Sequence, residues 1–253
     1  MRASSHVIMI VCSIAFAICV SAQESSPGSH DWGYEGAEGP SHWGDLKPEY
    51  KACKLGQHQS PINIRAAQKL AMPRIEFHYK ASPLNLINNG HAIQINYAPG
   101  SFIVIGDKRY ELRQFHFHHP SEEEVNGNGF EMEAHLVHSD AGGRLAVVAV
   151  LFSEGSSNAT LAKIWRYLPD EVGKERSVTG ETINAASLLP QVTGYYGFDG
   201  SLTTPPCSEP VSWIVLKTPV TASAEQVAGF AKLYLHNTRP IQPLNGRTVL
   251  ESQ

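Results

Sequence analysis

The sequence predicts an α+β protein: a single domain built on a large, mainly antiparallel twisted β-sheet with a few peripheral helices. Three observations predict it. Runs rich in β-branched and aromatic residues, many of them alternating, recur from Leu84 to Leu216. Only two stretches carry helical spacing. The 21 Gly and 16 Pro are spread along the chain and no Pro/Gly/Ser linker divides it, which suits many turns and argues against a domain boundary. With 42% apolar and 17% charged residues the chain can bury a sizeable core and lacks the composition of a disordered one.

Taken in order, residues 1–22 read as a secretory signal peptide. Arg2 supplies a positive charge, Val7–Val20 is an apolar run shorter than the ~20 residues a membrane span needs, and Val20-Ser21-Ala22 forms a cleavage site. Residues 23–253 are then the mature, exported chain, periplasmic or extracellular, with no transmembrane segment. Gln23–Lys51 is rich in Gly, Trp and Tyr without periodicity and is expected to lie as an irregular arm on the body. The expected strands are Leu84–Ile87, His91–Tyr97, Phe102–Ile105, Tyr110–His118, Phe130–His138, Leu145–Phe152 and Val211–Leu216, with Asn89-Gly90 as a two-residue hairpin turn. Leu161, Ile164, Trp165 and Leu168 predict one helix behind a Ser156/Ser157 cap. Ser223 and Gln226 predict a capping box at the start of a second.

Export also decides the cysteines. Cys12 and Cys19 leave with the signal peptide, and Cys53 and Cys207, alone in an oxidising compartment, are expected to pair. The bridge would close most of the mature chain into one loop, worth roughly 5 kcal/mol at most in the chain-entropy picture. A formal net charge of −4 and the lack of any basic run argue against a nucleic-acid partner.

Chemistry announces itself in the histidines: five of twelve fall between positions 116 and 138. Strand parity puts Leu112, Gln114, His116 and His118 on one face of the first strand, and Glu131, Glu133, His135 and Val137 on one face of the second. If the two strands are neighbours, His116, His118 and His135 converge. Three neutral imidazoles on a rigid sheet suit Zn²⁺ with a fourth position open to water, and Gln114 and Glu133 are placed to fix their tautomers. His119 and His138 fall on the opposite faces, where packing or hydrogen bonding is the expected use. A competing pattern, His116-x-His118-x3-Glu122-x6-Gly129, matches part of the first cupin motif and would make a metal oxygenase. Tyr110 stands where that motif needs Gly, and the second cupin motif is absent.

These residues belong to longer stretches. His42-Trp43-Gly44, Gln59-Ser60-Pro61-Ile62-Asn63-Ile64, Asn88-Asn89-Gly90-His91, Gln114–His118, Ser121-Glu122, Glu133–His138, Ser201–Pro206, Trp213–Leu216 and Asn237–Leu244 together resemble the α-class carbonic anhydrases, collinearly over nearly all of the mature chain. Export and two cysteines are similar to the secreted bacterial and extracellular members. The resemblance implies a zinc lyase that interconverts CO₂ and bicarbonate through attack of zinc-bound hydroxide, with His116, His118 and His135 as ligands and esterase activity as a side reaction. It implies that Thr203 takes the hydroxide's hydrogen bond and passes its own to Glu122, and that His91 shuttles protons. Val137, Val147, Leu202, Val211 and Trp213 become an apolar wall for CO₂, with Thr204 beside the bound anion. Gln114, Glu133 and Asn237 become the supports of the three ligands.

Two residues depart from the pattern: Glu123 stands where most members have His, which bears on the hydrogen bonding around Glu122, and His119 replaces a residue that is often aromatic or small. Asn158-Ala159-Thr160 is a glycosylation sequon, relevant in a eukaryotic host. A non-catalytic carbonic-anhydrase-like binding protein is the alternative from another class, yet such relatives typically lose a ligand His and all three are present. Both a monomer and a homodimer are compatible with the sequence.

Overall fold

The computed structural model describes residues 31–169 and 171–253, so the expected signal peptide lies outside the described residues. Fifteen strands follow one another there: β1 (Asn63–Ile64), β2 (Gln68–Leu70), β3 (Ile75–His78), β4 (Ser82–Asn88), β5 (Ile93–Asn96), β6 (Phe102–Ile105), β7 (Lys108–His118), β8 (Glu124–Val125), β9 (Met132–Ser139), β10 (Leu145–Glu154), β11 (Glu175–Ile183), β12 (Tyr195–Gly200), β13 (Val211–Leu216), β14 (Val220–Ala222) and β15 (Leu250–Ser252). Four short helices accompany them: α1 (Trp43–Leu46), α2 (Ala52–Leu55), α3 (Ala159–Trp165) and α4 (Ala224–Ala231).

Thirteen strands make one twisted sheet with the central order β4-β5-β7-β9-β10-β13-β12. Antiparallel pairing prevails, as expected; β10 pairs β13 and β14 in parallel, and β15 pairs β2 in parallel. Because side chains alternate, each central strand serves two cores at once. Ala134 and Leu136 of β9, Val148 and Val150 of β10, and Ile214 and Leu216 of β13 join one buried cluster, covered by Leu161 and Ile164 of α3 and Phe230 of α4. Val147 and Ala149 of β10, and Trp213 and Val215 of β13, join a second cluster on the other face, with Ile62 and Ile64. The site lies on this second face.

The structure corrects several details. A register shift at Arg113 places Leu112 opposite His138 and Gln114 opposite Val137. One extra residue reverses parity, so Leu112 joins Phe115 and Phe117 in the helix-covered core and does not share a face with Gln114, His116 and His118. Asn88 pairs with Ile93, so the turn is a four-residue loop in place of the two-residue hairpin. Asn89 Oδ1 accepts from the N–H groups of His91 (2.9 Å) and Ala92 (2.7 Å), and Gly90 takes φ +86°, the left-handed region that glycine enters freely. The cap of α3 is Asn158, whose Oδ1 accepts from Thr160 and Leu161, in place of Ser156 or Ser157. The sequon asparagine is thus a helix cap. At α4 the predicted capping box of Ser223 and Gln226 is present. β11 and β12 are not among the expected strands; β11 is a mostly exposed, polar edge strand with little alternation.

Cys53 and Cys207 form a disulfide across 154 residues. It ties α2 to the loop that follows β12. Arg239 reinforces the junction, donating to Cys53 O (2.9 Å), Gln59 Oε1 (2.7 Å) and Ser60 O (2.8 Å).

Candidate active site

The register of β7 against β9 sets His116 opposite His135 and His118 opposite Glu133. With the bulge lying upstream, parity holds from Gln114 onward and all three imidazoles share a face. The rings lie 4.5 to 5.3 Å apart between centroids. One ligand atom from each lies within 4.8 Å of the others.

His116 and His118 each have one nitrogen committed to an oxygen partner, which leaves the other to face its neighbours. His116 Nδ1 lies 2.8 Å from Gln114 Oε1, and His118 Nδ1 lies 2.7 Å from the backbone carbonyl of Asn237. On His135 it is Nε2 that faces carboxylates, 3.3 Å from Glu133 Oε1 and 3.6 Å from Glu123 Oε2. Glu122 Oε2 sits 3.6 Å from His118 Nε2 and 3.9 Å from His135 Nδ1, so those two nitrogens open onto one space. His118 Nε2 is buried without a hydrogen-bond partner. A buried polar atom left unpaired is costly, and an unpaired His118 Nε2 with ring nitrogens of His116 and His135 within 4.8 Å fits a cation that prefers imidazole.

Electrostatics differ around the trio. Burial, together with neighbouring imidazoles, holds His116 and His118 below the usual histidine range, which keeps them neutral as ligands must be. Burial acts on His135 in the same sense, but Glu133 and Glu123 overrule it and raise this ring to about 10. Burial and the Glu133 charge push Glu123 upward.

Residues far away in sequence hold this group in place. Asn237 is fully buried, and besides its carbonyl contact to His118 its side chain accepts from His119 N (2.8 Å) and donates to Phe117 O (2.9 Å) and His91 O (3.0 Å). Glu133 Oε2 accepts from the backbone N–H of Glu122 (2.8 Å) and Glu123 (3.0 Å), and Glu122 Oε1 accepts from Arg239 N (2.8 Å). Glu123 therefore bears on Glu133 and His135, while Glu122 is supported from Arg239.

The apolar side of the site follows from register. Val137 pairs with Val147 on β10, and Val147 with Trp213 on β13, forming one row across three strands. The His135 and Trp213 rings stand 4.9 Å apart, edge to face. Val147, Val211 and Trp213 are buried, whereas Val137 and Leu202 are half-buried against the same cluster. Thr203 is buried and Thr204 half-buried, on a loop clamped by Ser60 N→Ser201 Oγ (2.9 Å), Ser201 N→Ser60 Oγ (3.2 Å) and Cys207 N→Thr204 O (2.9 Å). Gly200 at its start has no room for a side chain: a Cβ would stand 2.2 Å from Ser60 Oγ and 2.7 Å from Trp213 Cδ1. Glu122 Oε2 has no hydrogen-bond partner, so contact between Thr203 and Glu122 is no part of the described geometry.

At the tip of the β4–β5 loop the ring of His91 stacks on Trp32, with centroids 3.6 Å apart and 8° between planes. Tyr34, beside Trp32, is half-buried, and its hydroxyl is buried and unpaired. Trp32, Tyr34, Gln59 and Arg239 are not among the expected site residues; Trp32 and Tyr34 lie in the aperiodic arm, where no local pattern marks them. His138 and His119 keep to hydrogen bonding: His138 Nε2 lies 2.8 Å from Tyr79 Oη, and His119 Nδ1 lies 2.8 Å from Leu235 O.

A sheet-borne trio of supported imidazoles beside a dry wall defines a metal-site architecture for chemistry on a small molecule. Comparison with known proteins agrees. The family model for eukaryotic-type carbonic anhydrases matches residues 38–253. Carbonic anhydrase of Pectobacterium carotovorum is 44% identical over 239 residues, covering 94% of this chain and 98% of that protein. Carbonic anhydrase of Klebsiella pneumoniae is 48% identical over 224 residues, 87% and 90% of the two chains. Among solved structures, the sulfanilamide complex of the Thermovibrio ammonificans α-carbonic anhydrase superposes with a TM-score of 0.85 at 46% identity, covering 88% of this chain and 99% of that one. The chain belongs to the eukaryotic-type, or α, carbonic anhydrase family of enzymes.

Proposed function

We propose that this enzyme is zinc-dependent and catalyses the reversible hydration of CO₂ to bicarbonate and a proton, with His116, His118 and His135 holding the ion. The observation that carries the reading is the convergence of three imidazoles, buried at His118 and His135 and half-buried at His116, each with an oxygen of a different residue beside its outer nitrogen, next to a wall of Val147, Val211 and Trp213. When bound, zinc would supply a Lewis acid that brings the pKa of a coordinated water to about 7, a value characteristic of carbonic anhydrases as a class.

The remaining work falls to side chains. Gln114, the Asn237 carbonyl and Glu133 fix ring tautomer and orientation. CO₂ lacks a dipole and gains from a dry apolar surface, which Val137, Val147, Leu202, Val211 and Trp213 provide. Thr203 Oγ1 accepts a hydrogen bond from the attacking oxygen and donates one to Glu122, an orientation effect; Thr204 stands near the product anion. His91, whose ring stacks on Trp32, carries the proton outward, a task suited to an imidazole. The disulfide supports export to an oxidising compartment after removal of residues 1–22. No helix among the described residues is long and apolar enough to cross a membrane.

The test is metal analysis of the purified chain together with a stopped-flow CO₂ hydration assay, with and without an aromatic sulfonamide. One zinc per chain and sulfonamide-sensitive hydration are expected. A zinc-loaded protein that hydrates no CO₂ would favour the non-catalytic alternative, and a metal-dependent oxygenation would favour the cupin one.

A further inference from the structure

Glu123 is fully buried, and neither of its carboxyl oxygens has a hydrogen-bond partner. Its surroundings explain the difficulty. The backbone N–H groups of Glu122 and Glu123 are both taken by Glu133 Oε2. The imidazole edge of His135 offers one nitrogen, Nε2, which Glu133 Oε1 approaches at 3.3 Å and Glu123 Oε2 at 3.6 Å. Two carboxyl groups thus crowd one ring nitrogen in a dry interior, and Glu133 Oε1 is itself left without a hydrogen-bond partner. An isolated buried carboxylate is costly, and one oxygen of Glu123 lies within 4.8 Å of one of Glu133, a neighbourhood in which two carboxyls can approach and share a hydrogen. The third member of this crowd is the ring that faces Glu122 with its other nitrogen.

We propose that Glu123 is a positioning residue for His135: its carboxyl braces Glu133 from the side, and through Glu133 it sets how firmly the His135 ring is held and how strongly it donates to the metal. The inference rests on the zinc reading above. Partners that orient metal-bound imidazoles are commonly worth 10- to 100-fold in metal affinity, so a brace one contact further out is expected to be worth about tenfold.

The experiment measures zinc release from the holoenzyme to a chelator, the pH midpoint of kcat/KM and the thermal midpoint, for wild type, Glu123→Leu and Glu123→Gln. Leu keeps the volume and removes an unsatisfied polar group, so the thermal midpoint should hold or rise. Zinc release should nevertheless quicken about tenfold and the pH midpoint should move. Gln retains an amide that can donate to Glu133 and should restore release to within about twofold of wild type. Release and pH midpoint unchanged in the Leu variant would overturn the proposal. So would a Leu variant that fails to fold, since the carboxyl would then serve the fold and not the ligand, or a Gln variant as fast as Leu. If wild type itself binds no zinc, it is the underlying reading that fails.

Discussion

His135 and His138 sit three positions apart on the same strand, and both are buried. Burial alone lowers an imidazole pKa, because it penalises the charged form. On the helix-covered face that rule stands: His138, with Tyr79 Oη and the Ala146 carbonyl among its partners and no carboxylate against it, is depressed by burial to about 4. On the site face it is reversed, because Glu133 and Glu123 stand against His135 and lift it to about 10. Two faces of one sheet therefore treat the same residue in opposite ways. The helix-covered face is packed for stability. Its counterpart holds unpaired buried atoms on Glu122, Glu123, Glu133, His118 and His135, an arrangement that costs stability and suits a cation.

The strongest way to break this comparison is to remove the site-face histidine. His135→Ala leaves two imidazoles, and zinc affinity should fall by more than the ~100-fold that loss of a supporting partner can cost. Hydration should disappear with it; full activity with intact zinc would refute the assignment. The reciprocal change, Phe230→Ala on the helix-covered face, should cost about 3–5 kcal/mol in unfolding free energy, because the ring is fully buried between α3 and the sheet. The folded variant should keep its zinc and its rate at 25 °C. If its kcat fell in step with its stability, the two faces would not be separable.

His138 sharpens the comparison through pH. Its folded pKa of about 4 lies below the unfolded value near 6.5, so its contribution is fully present above pH 6.5 and is lost as pH falls towards 4. The loss is about 3 kcal/mol over that window. Denaturant unfolding of wild type and His138→Gln at pH 7 and pH 4 should show the variant losing less by about that amount; equal losses would sink the assignment. Thr203→Ala should slow hydration on the order of 10²-fold while zinc stays bound, since it removes orientation and not coordination. An unchanged rate would show that Glu122 is engaged in some other way. Smallest is His91→Ala, expected to lower kcat in weak buffer on the order of tenfold, less than a full general acid or base because buffer can substitute, with kcat/KM nearly intact. Added imidazole should recover most of the loss, and a variant equal to wild type in weak buffer would remove His91 from the proton path.

Much of this was legible locally. Alternation exposed the central strands, with Phe102–Ile105 and Val211–Leu216 matching residue for residue, and the capping box marked the start of α4. The same periodicity placed His116, His118 and His135 on one face, since every second side chain must share a surface. Where a local feature broke the period, local reading failed. The bulge at Arg113 turned Leu112 to the other face, and the side chain of Asn89 rewrote a two-residue turn as a four-residue loop.

By itself, then, the sequence determined the fold class, the strands that carry the metal-site candidates and the face they share, because strand periodicity is a property of neighbours along the chain. Only the tertiary structure decided what surrounds them. Asn237 reaches His118 across 119 positions, Arg239 supports Glu122 across 117, and Glu123 turns towards His135 and not towards solvent. Those contacts are fixed by register, by the disulfide and by the closing of loops over the sheet. No window of the sequence contains both partners, and so none could have revealed that Glu122, Glu123 and Glu133 would gather around the three imidazoles.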